Sequence, residues 1–323
     1  MIDDETQNVT PYARTVIVPA AGMGTRFLPA TKTVPKELLP VVDTPGIEMI
    51  AEEAAAAGAE RLAVVTAPSK DGVLGHFEPR PDLEETLAER GKDAIAAKVR
   101  RATEAIDVAS VVQERPLGLG HAVLIAEELL DDDEDAVAVM LPDDLVLPVG
   151  VLDRMHEVRE RFGGSVLCAL ELPREEVFNY GVFDIDDADA PEEGWADVRR
   201  VKGMVEKPSP EEAPSTYVAV GRYLLDRAIF DALRRIPRGK GGEYQLTDAI
   251  ELLISEGHPV HIVVHEGFRH DLGNPGGFIR ACVDFGLRHP DYGPGLRRYI
   301  ETRIGEQDTP LPPFGGHSAP CAR

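Results

Sequence analysis

Thr15-Val-Ile-Val-Pro-Ala-Ala-Gly-Met-Gly-Thr-Arg-Phe-Leu-Pro29 decides how this chain is read. Its first half is short, apolar and β-branched, the pattern of a strand buried on both faces of a parallel sheet. Its second half places two glycines directly after that strand, where open α/β sheets bind their ligands. Gly22 and Gly24 let backbone N–H groups approach phosphate oxygens without a Cβ in the way. Arg26 adds a bidentate cation where the loop turns, and Lys36, in Pro35-Lys-Glu-Leu-Leu-Pro40, a second fixed positive charge. A triphosphate carries about four negative charges near neutrality, so two cations beside a loop of amides match it. Neither familiar phosphate motif is present. G-x-G-x-x-G has Phe27 in place of its third glycine, and no Walker Gly-Lys-Ser/Thr occurs. A bare tight turn is the plainer alternative, disfavoured by the joint presence of Gly-Met-Gly-Thr-Arg and Pro-Lys-Glu-Leu-Leu-Pro.

Outward from this loop, strands and helices alternate. Ile47–Ala57 reads as a helix stopped by Gly58, Arg61–Thr66 as a second strand, and residues 82–105 as one long amphipathic helix. Asp107–Gln113 reads as the third strand, His121–Leu130 as a helix, and Ala136–Pro142 as a fourth strand running into Asp143-Asp144. Such alternation argues for a right-handed, doubly wound α/β sheet. The second half is more mixed, with strands near 165–170, 181–186, 198–205 and 217–223 and helices over 226–235, 246–255 and 278–289. The pattern predicts a Rossmann-like doubly wound mixed sheet with an added β region. It forms a single domain over 14–305, divided near residue 150, after a polar, flexible lead-in over 1–13. The acidic run 186–194 reads as a surface turn or flap, and the Pro- and Gly-rich tail over 306–323 as disordered.

Composition narrows the function. The 323 residues are 43% hydrophobic and 28% charged, enough for a sizeable core. Acidic residues outnumber basic ones by 57 to 34, giving a formal charge of −23. So negative a surface repels phosphodiester backbones and anionic lipid, which argues against nucleic-acid and membrane partners. Small anions, which respond to local cations, remain open. No apolar run approaches the ~18 residues that span a bilayer. The start, Met1-Ile-Asp-Asp-Glu-Thr, lacks the regions of a signal peptide. Cys168, Cys282 and Cys321 give neither a disulfide framework nor a zinc spacing, so a reduced cytoplasm is expected.

Three further places carry chemistry. Gln113 ends the third strand ahead of Pro116-Leu-Gly-Leu-Gly-His121; its carboxamide suits the imide edge of a pyrimidine, and Gly118 leaves room for a flat ring. A polar strand end is the alternative. Asp143 follows the fourth strand, where a carboxylate either caps a turn or holds magnesium, which takes one or two carboxylates and leaves the rest to water and phosphate. Glu206-Lys207-Pro208 is either a surface ion pair or a carboxylate for sugar hydroxyls beside an ammonium for a phosphate. His121 opens a helix and is read as structural or capping. His261 and His265 sit on a strand pattern, against a helical zinc pair. Asp131-Asp-Asp-Glu-Asp135 reads as a solvated loop, and Glu52-Glu53 and Glu84-Glu85 as exposed helix charges. No Gly-x-Ser-x-Gly supports a covalent hydrolase.

Taken in order, Val18–Lys32, Pro35–Pro40, Gln113–Ala122, Leu141–Asp144, Tyr180–Val182, Val205–Pro208, Val220–Tyr223, Glu243–Ile250 and His270–Asn274 resemble the bacterial UTP–glucose-1-phosphate uridylyltransferases, sugar nucleotidyltransferases. The resemblance spans about residues 14–305. It implies the nucleotide-diphospho-sugar transferase fold, with nucleotide bound by the part before residue 150 and sugar by the part after. It implies catalytic cations at Arg26, Lys36 and Lys207, and nucleotide contacts from Ala21, Gly22, Gly24, Thr25, Glu37, Gln113 and Gly118. Sugar contacts are implied for Gly181 and Glu206 and for a Val220-Gly221 turn, and Mg2+ ligation for Asp143 and Asp271. The expected reaction joins UTP and glucose 1-phosphate into UDP-glucose and pyrophosphate, in a homodimer or homotetramer. Two rivals stand beside it: a thymidylyltransferase for the same sugar, and a non-catalytic nucleotide-binding paralogue.

Overall fold

A computed structural model describes residues 13–186 and 193–305. The expected lead-in (apart from Ala13), the tail over 306–323 and most of the acidic run 186–194 therefore lie outside the described residues. Ala13 itself is buried in the core.

The described strands are β1 (Thr15–Pro19), β2 (Pro40–Val41), β3 (Thr44–Pro45), β4 (Arg61–Thr66), β5 (Asp107–Val112), β6 (Ala136–Met140), β7 (Asp144–Leu147), β8 (Ser165–Glu171), β9 (Gly181–Ile185), β10 (Val198–Glu206), β11 (Tyr217–Asp226), β12 (Val260–Val264) and β13 (Phe268–Asp271). Nine of them form one mixed sheet in the order β5-β4-β1-β6-β11-β8-β12-β10-β9. The run β5-β4-β1-β6 is parallel; β11 is antiparallel to both β6 and β8. One sheet thus passes through both halves of the chain.

Side-chain alternation explains the two cores. Val16 and Val18 of β1 point into one, with Leu62 and Val64 of β4; Ile17, Ala63 and Val65 point into the other. The first is covered by the helices Gly46–Ala56 and Val151–Phe162, the second by Leu119–Ile125, Ala228–Arg235 and Leu246–Ser255. With both faces covered, strands such as β1 read as continuous apolar runs.

Three expectations need correction. Residues 82–105 form two helices, Pro81–Glu89 and Asp93–Glu104. Gly91 adopts φ +66° and Lys92 N–H bonds Leu87 O at 2.9 Å, a glycine C-cap that ends the first helix. Glu53 is not an exposed helix charge: it is buried, and both its oxygens accept from the fully buried Arg222 of β11, at 2.8 and 2.6 Å. The helices Val151–Phe162 and Gly293–Gly305 and the ribbon β7–β13 were not expected at all. That ribbon is the element the site depends on.

Candidate active site

The C-terminal ends of β1, β4 and β5 lie side by side: Ala20 N–H bonds Val65 O, and Gln113 N–H bonds Thr66 O, both at 2.8 Å. The glycine loop and Gln113 therefore leave the sheet at one edge, the crevice where α/β sheets hold ligands. Gly24 adopts φ +63°, and its carbonyl accepts from Thr31 Oγ1 at 2.7 Å, which folds the loop back. A Cβ at Gly24 would sit 3.1 Å from Thr31 Cγ2 and 3.3 Å from Lys36 Cβ. Thr25-Arg-Phe27 forms a single helical turn that turns Arg26 towards Gly273 O, 3.4 Å from its Nη1.

Beside this loop lies a cleft of about 630 Å³. Arg26, Asp143, Asp271, Glu206 and Lys207 all line it, from segments up to 245 residues apart in sequence (26 against 271), together with Gly181 and Gly221. Lys36 is not among the lining residues and joins the site through its ion pair with Asp143. Burial pushes the Asp143 carboxyl up, but the charge and hydrogen bond of Lys36 outweigh this and hold it below the usual carboxylate range. It is therefore an anion at neutral pH. Asp271, on β13, accepts from Gly273 N–H at 2.8 Å and Asn274 Nδ2 at 2.7 Å. A Cβ on Gly273 would lie 2.8 Å from Asp143 Oδ2 and 2.9 Å from Asp271 Oδ1, so the two carboxylates converge over this glycine. Two carboxylates lining one cleft fit a hard divalent cation, which takes one or two carboxylates and completes its shell with water and phosphate. Among the described residues no cluster of three or more His, Cys, Asp or Glu side chains is placed to hold a metal.

On the opposite wall Glu206 ends β10, with Thr247 Oγ1 donating to its Oε2 at 2.7 Å and Lys207 Nζ to its Oε1 at 2.5 Å. Lys207 stands at φ +48°, with its N–H on Tyr180 O at 2.9 Å. A Cβ on Gly181 would meet the movable end of Met204, Cε, at 2.5 Å and lie 3.5 Å from Glu206 Oε2.

The base-side residues Ala21, Gly22, Gln113 and Gly118 lie outside the cleft lining, on the loop edge above. Gln113 is buried; its Nε2 donates to Gly118 O at 3.2 Å and to His121 Nδ1 at 2.9 Å. Burial, and then the charge of Arg238, push the His121 imidazole down, which keeps Nδ1 an acceptor. His121 orients Gln113 and caps nothing; the residue ahead of its helix is Gly118. Gly118 adopts φ +96°, and a Cβ there would lie 2.7 Å from Glu243 Cβ, because the 243–245 segment docks on this loop.

Two expected roles shift. Glu37 is buried, both oxygens taken by Lys70 at 2.8 and 3.0 Å, while Lys70 also donates to Ala20 O at 2.7 Å. Its carboxylate therefore braces the loop from behind instead of facing a base. Val220-Gly221 is not a turn but lies inside β11, where pairing to β8 skips from Ala219 to Tyr223. Val220 packs in the core. Gly221 N–H donates to Asp144 Oδ2 at 2.9 Å, and its carbonyl accepts from Leu141 N–H and Arg222 Nη1, both at 2.9 Å. Its backbone is thus spent inside the protein.

Sequence reasoning missed Lys70, Asp144, Tyr180 and Arg269. Asp144 is buried; burial pushes its carboxyl up against the opposing charge of Arg269, whose Nε donates to it at 2.6 Å. Arg269 sits two residues before Asp271, on a strand of four residues that is too short to show a period in the sequence.

The nucleotidyl transferase family model matches residues 15–285. A UTP–glucose-1-phosphate uridylyltransferase, YngB, of Bacillus subtilis (strain 168) is 38% identical over 292 residues, 90% of this chain and 95% of that one. A UTP-bound UGPase from Acinetobacter baumannii superposes with a TM-score of 0.80 at 35% identity, covering 90% of this chain and 99% of that one. A UDP-glucose pyrophosphorylase complexed with UDP-glucose does so with a TM-score of 0.75 at 35% identity, covering 86% and 100%.

Proposed function

From the premise that the chain belongs to the nucleotidyl transferase family, among the UTP–glucose-1-phosphate uridylyltransferases, we propose that it makes UDP-glucose and pyrophosphate from UTP and α-D-glucose 1-phosphate. The observation that carries this reading is the cleft itself, which Arg26, Asp143, Glu206, Lys207 and Asp271 line together, with Lys36 paired to Asp143.

The phosphate of glucose 1-phosphate is already an anion, so no protein base is needed. One of its oxygens attacks the α-phosphorus of UTP in line. A new P–O bond forms, the bond from the α-phosphorus to the bridging oxygen breaks, and pyrophosphate leaves with that electron pair. Catalysis is then positioning and charge stabilisation. Arg26 and Lys36 hold the triphosphate and the leaving pyrophosphate; Lys207 holds the attacking phosphate; Glu206 accepts from sugar hydroxyls. Ala21, Gly22, Gly24 and Thr25 supply the loop, and Gln113 and Gly118 face the base. Asp143 and Asp271 would hold Mg2+, which when bound supplies Lewis-acid neutralisation of phosphate oxygens. Losing its pairing to Asp143, the Lys36 ammonium is free to turn to phosphate.

The enzyme is further proposed to act in the cytoplasm as a homo-oligomer. Cys168 and Cys282 are free thiols; Ile279 and Tyr299 are exposed on the helices Pro275–Arg288 and Gly293–Gly305, and Tyr292 on the turn between them. Among the described residues no helix is long and apolar enough to cross a membrane.

Pyrophosphate release measured across four nucleotides and several sugar phosphates, with and without magnesium, tests the proposal. UTP with glucose 1-phosphate is expected to be the preferred pair, and only with magnesium. Preference for dTTP would favour the thymidylyltransferase reading, and no release with any pair the non-catalytic one.

A further inference from the structure

Arg269 lines the cleft beside Asp271 and Tyr180. Its side chain is 17% exposed, and it reaches the cleft from β13, on the same face as Asp271 two residues on. Two of its three nitrogens are committed. Nε donates to Asp144 Oδ1 at 2.6 Å, and Nη1 donates to Tyr180 Oη at 2.7 Å, with the guanidinium 5.1 Å from the Tyr180 ring centroid. Among the described residues, Nη2 makes no hydrogen bond.

These anchors are themselves held. Asp144 is buried and accepts from Gly221 N–H, while its backbone carbonyl accepts from Arg222, which is locked to Glu53. Tyr180 O accepts the N–H of Lys207 at 2.9 Å. One residue therefore fixes both the Lys207 backbone and the Arg269 fork. A planar fork held by two partners and left one donor is preorganised for a phosphate oxygen.

Resting on the uridylyltransferase reading above, we propose that Arg269 is a substrate-contacting cation of this site. It donates through Nη2 to the phosphate of glucose 1-phosphate beside Lys207, and Asp144 and Tyr180 act as its positioning groups. The competing role is simply that of counter-ion to the buried Asp144, in which case Arg269 would touch no substrate.

Steady-state pyrophosphate release separates the two, with UTP and glucose 1-phosphate varied independently. The variants are Arg269→Gln, Arg269→Lys and the double Arg269→Gln/Asp144→Asn, which strands no buried charge, each with its thermal melt. For Arg269→Gln and for the double variant, KM for glucose 1-phosphate is expected to rise about tenfold or more while KM for UTP stays within about twofold. Arg269→Lys is expected to fall between, because an ammonium cannot keep all three directions of the fork. A double variant with wild-type KM for glucose 1-phosphate would overturn the proposal and leave Arg269 a counter-ion. An equal rise in both KM values, at an unchanged melting temperature, would overturn it too. If the wild type prefers another sugar 1-phosphate, the proposed function is what fails, and the same comparison is then decided on the preferred substrate.

Discussion

Lys207 presents its ammonium from a left-handed backbone conformation, with its N–H tied to Tyr180 O. With nearly half of Lys207 exposed, its ion pair with Glu206 contributes little stability, which leaves the charge for the ligand role proposed for it. Lys207→Ala is expected to lower kcat/KM for glucose 1-phosphate by about 10²–10³ with the melting temperature unchanged, by kinetics and calorimetry on one preparation. Lys70 is the opposite case. It lies almost wholly inside, and burial pushes its pKa down while Glu37 opposes that. Lys70→Met leaves the buried Glu37 carboxylate with only the 4.0 Å pairing to Lys36, so a loss of about 3 kcal/mol in denaturant unfolding is expected, with Glu37→Gln/Lys70→Met recovering most of it. Arg26, Lys36 and Asp143 stand out in the sequence because each sits in a short, chemically unusual stretch, and the structure brings Arg26 and Asp143 to one cleft with Lys36 paired to Asp143. The Lys70–Glu37 pair was not, because 33 residues separate partners that local spacing cannot join.

Helices and strands show the same division. Helix Gly46–Ala56 was readable from its apolar spacing, but its Glu53 was misread because a glutamate next to another glutamate has the pattern of a solvated face. Arg222, fully buried on β11, reverses that reading. Arg222→Met is expected to cost about 3–5 kcal/mol, and Glu53→Gln/Arg222→Met markedly less; equal costs would contradict a buried ion pair. Val151, Leu152, Met155 and Val158 bury one face of a helix whose i, i+4, i+7 spacing was present in the sequence and overlooked. On that helix, burial, and then the charge of Arg159, push the His156 imidazole down to about 4 from 6.5. Below 6.5 the unfolded chain takes up the proton before the folded one does, so this contribution is complete above 6.5 and lost as pH falls towards 4. Between pH of about 7 and about 4.5, the unfolding free energy of the wild type, read from denaturant melts, is expected to fall further than that of His156→Gln, by up to about 3 kcal/mol. The β7–β13 ribbon, four residues a side, was too short to have a period, though it carries both Arg269 and Asp271.

Across the whole molecule, a net charge of −23 coexists with a cleft for two polyanions, because attraction is set by a few cations converging from distant segments. The doubly wound half was legible: β1, β4 and β6 are buried on both faces and read as plain apolar runs. The crossing of β11 between β6 and β8, which brings Glu206, Lys207 and β13 to the glycine loop, is a property of topology and not of any local pattern. Convergence is tested most directly where the two walls meet, at Asp143. Pyrophosphate release from saturating UTP and glucose 1-phosphate with magnesium is to be compared between the wild type and a folded Asp143→Asn variant. A fall in kcat of about 10²–10³ at an unchanged melting temperature is expected. Turnover within about threefold of the wild type would show that the carboxylate beside Lys36 takes no part in holding the reacting phosphates, and would contradict the assignment of the cleft.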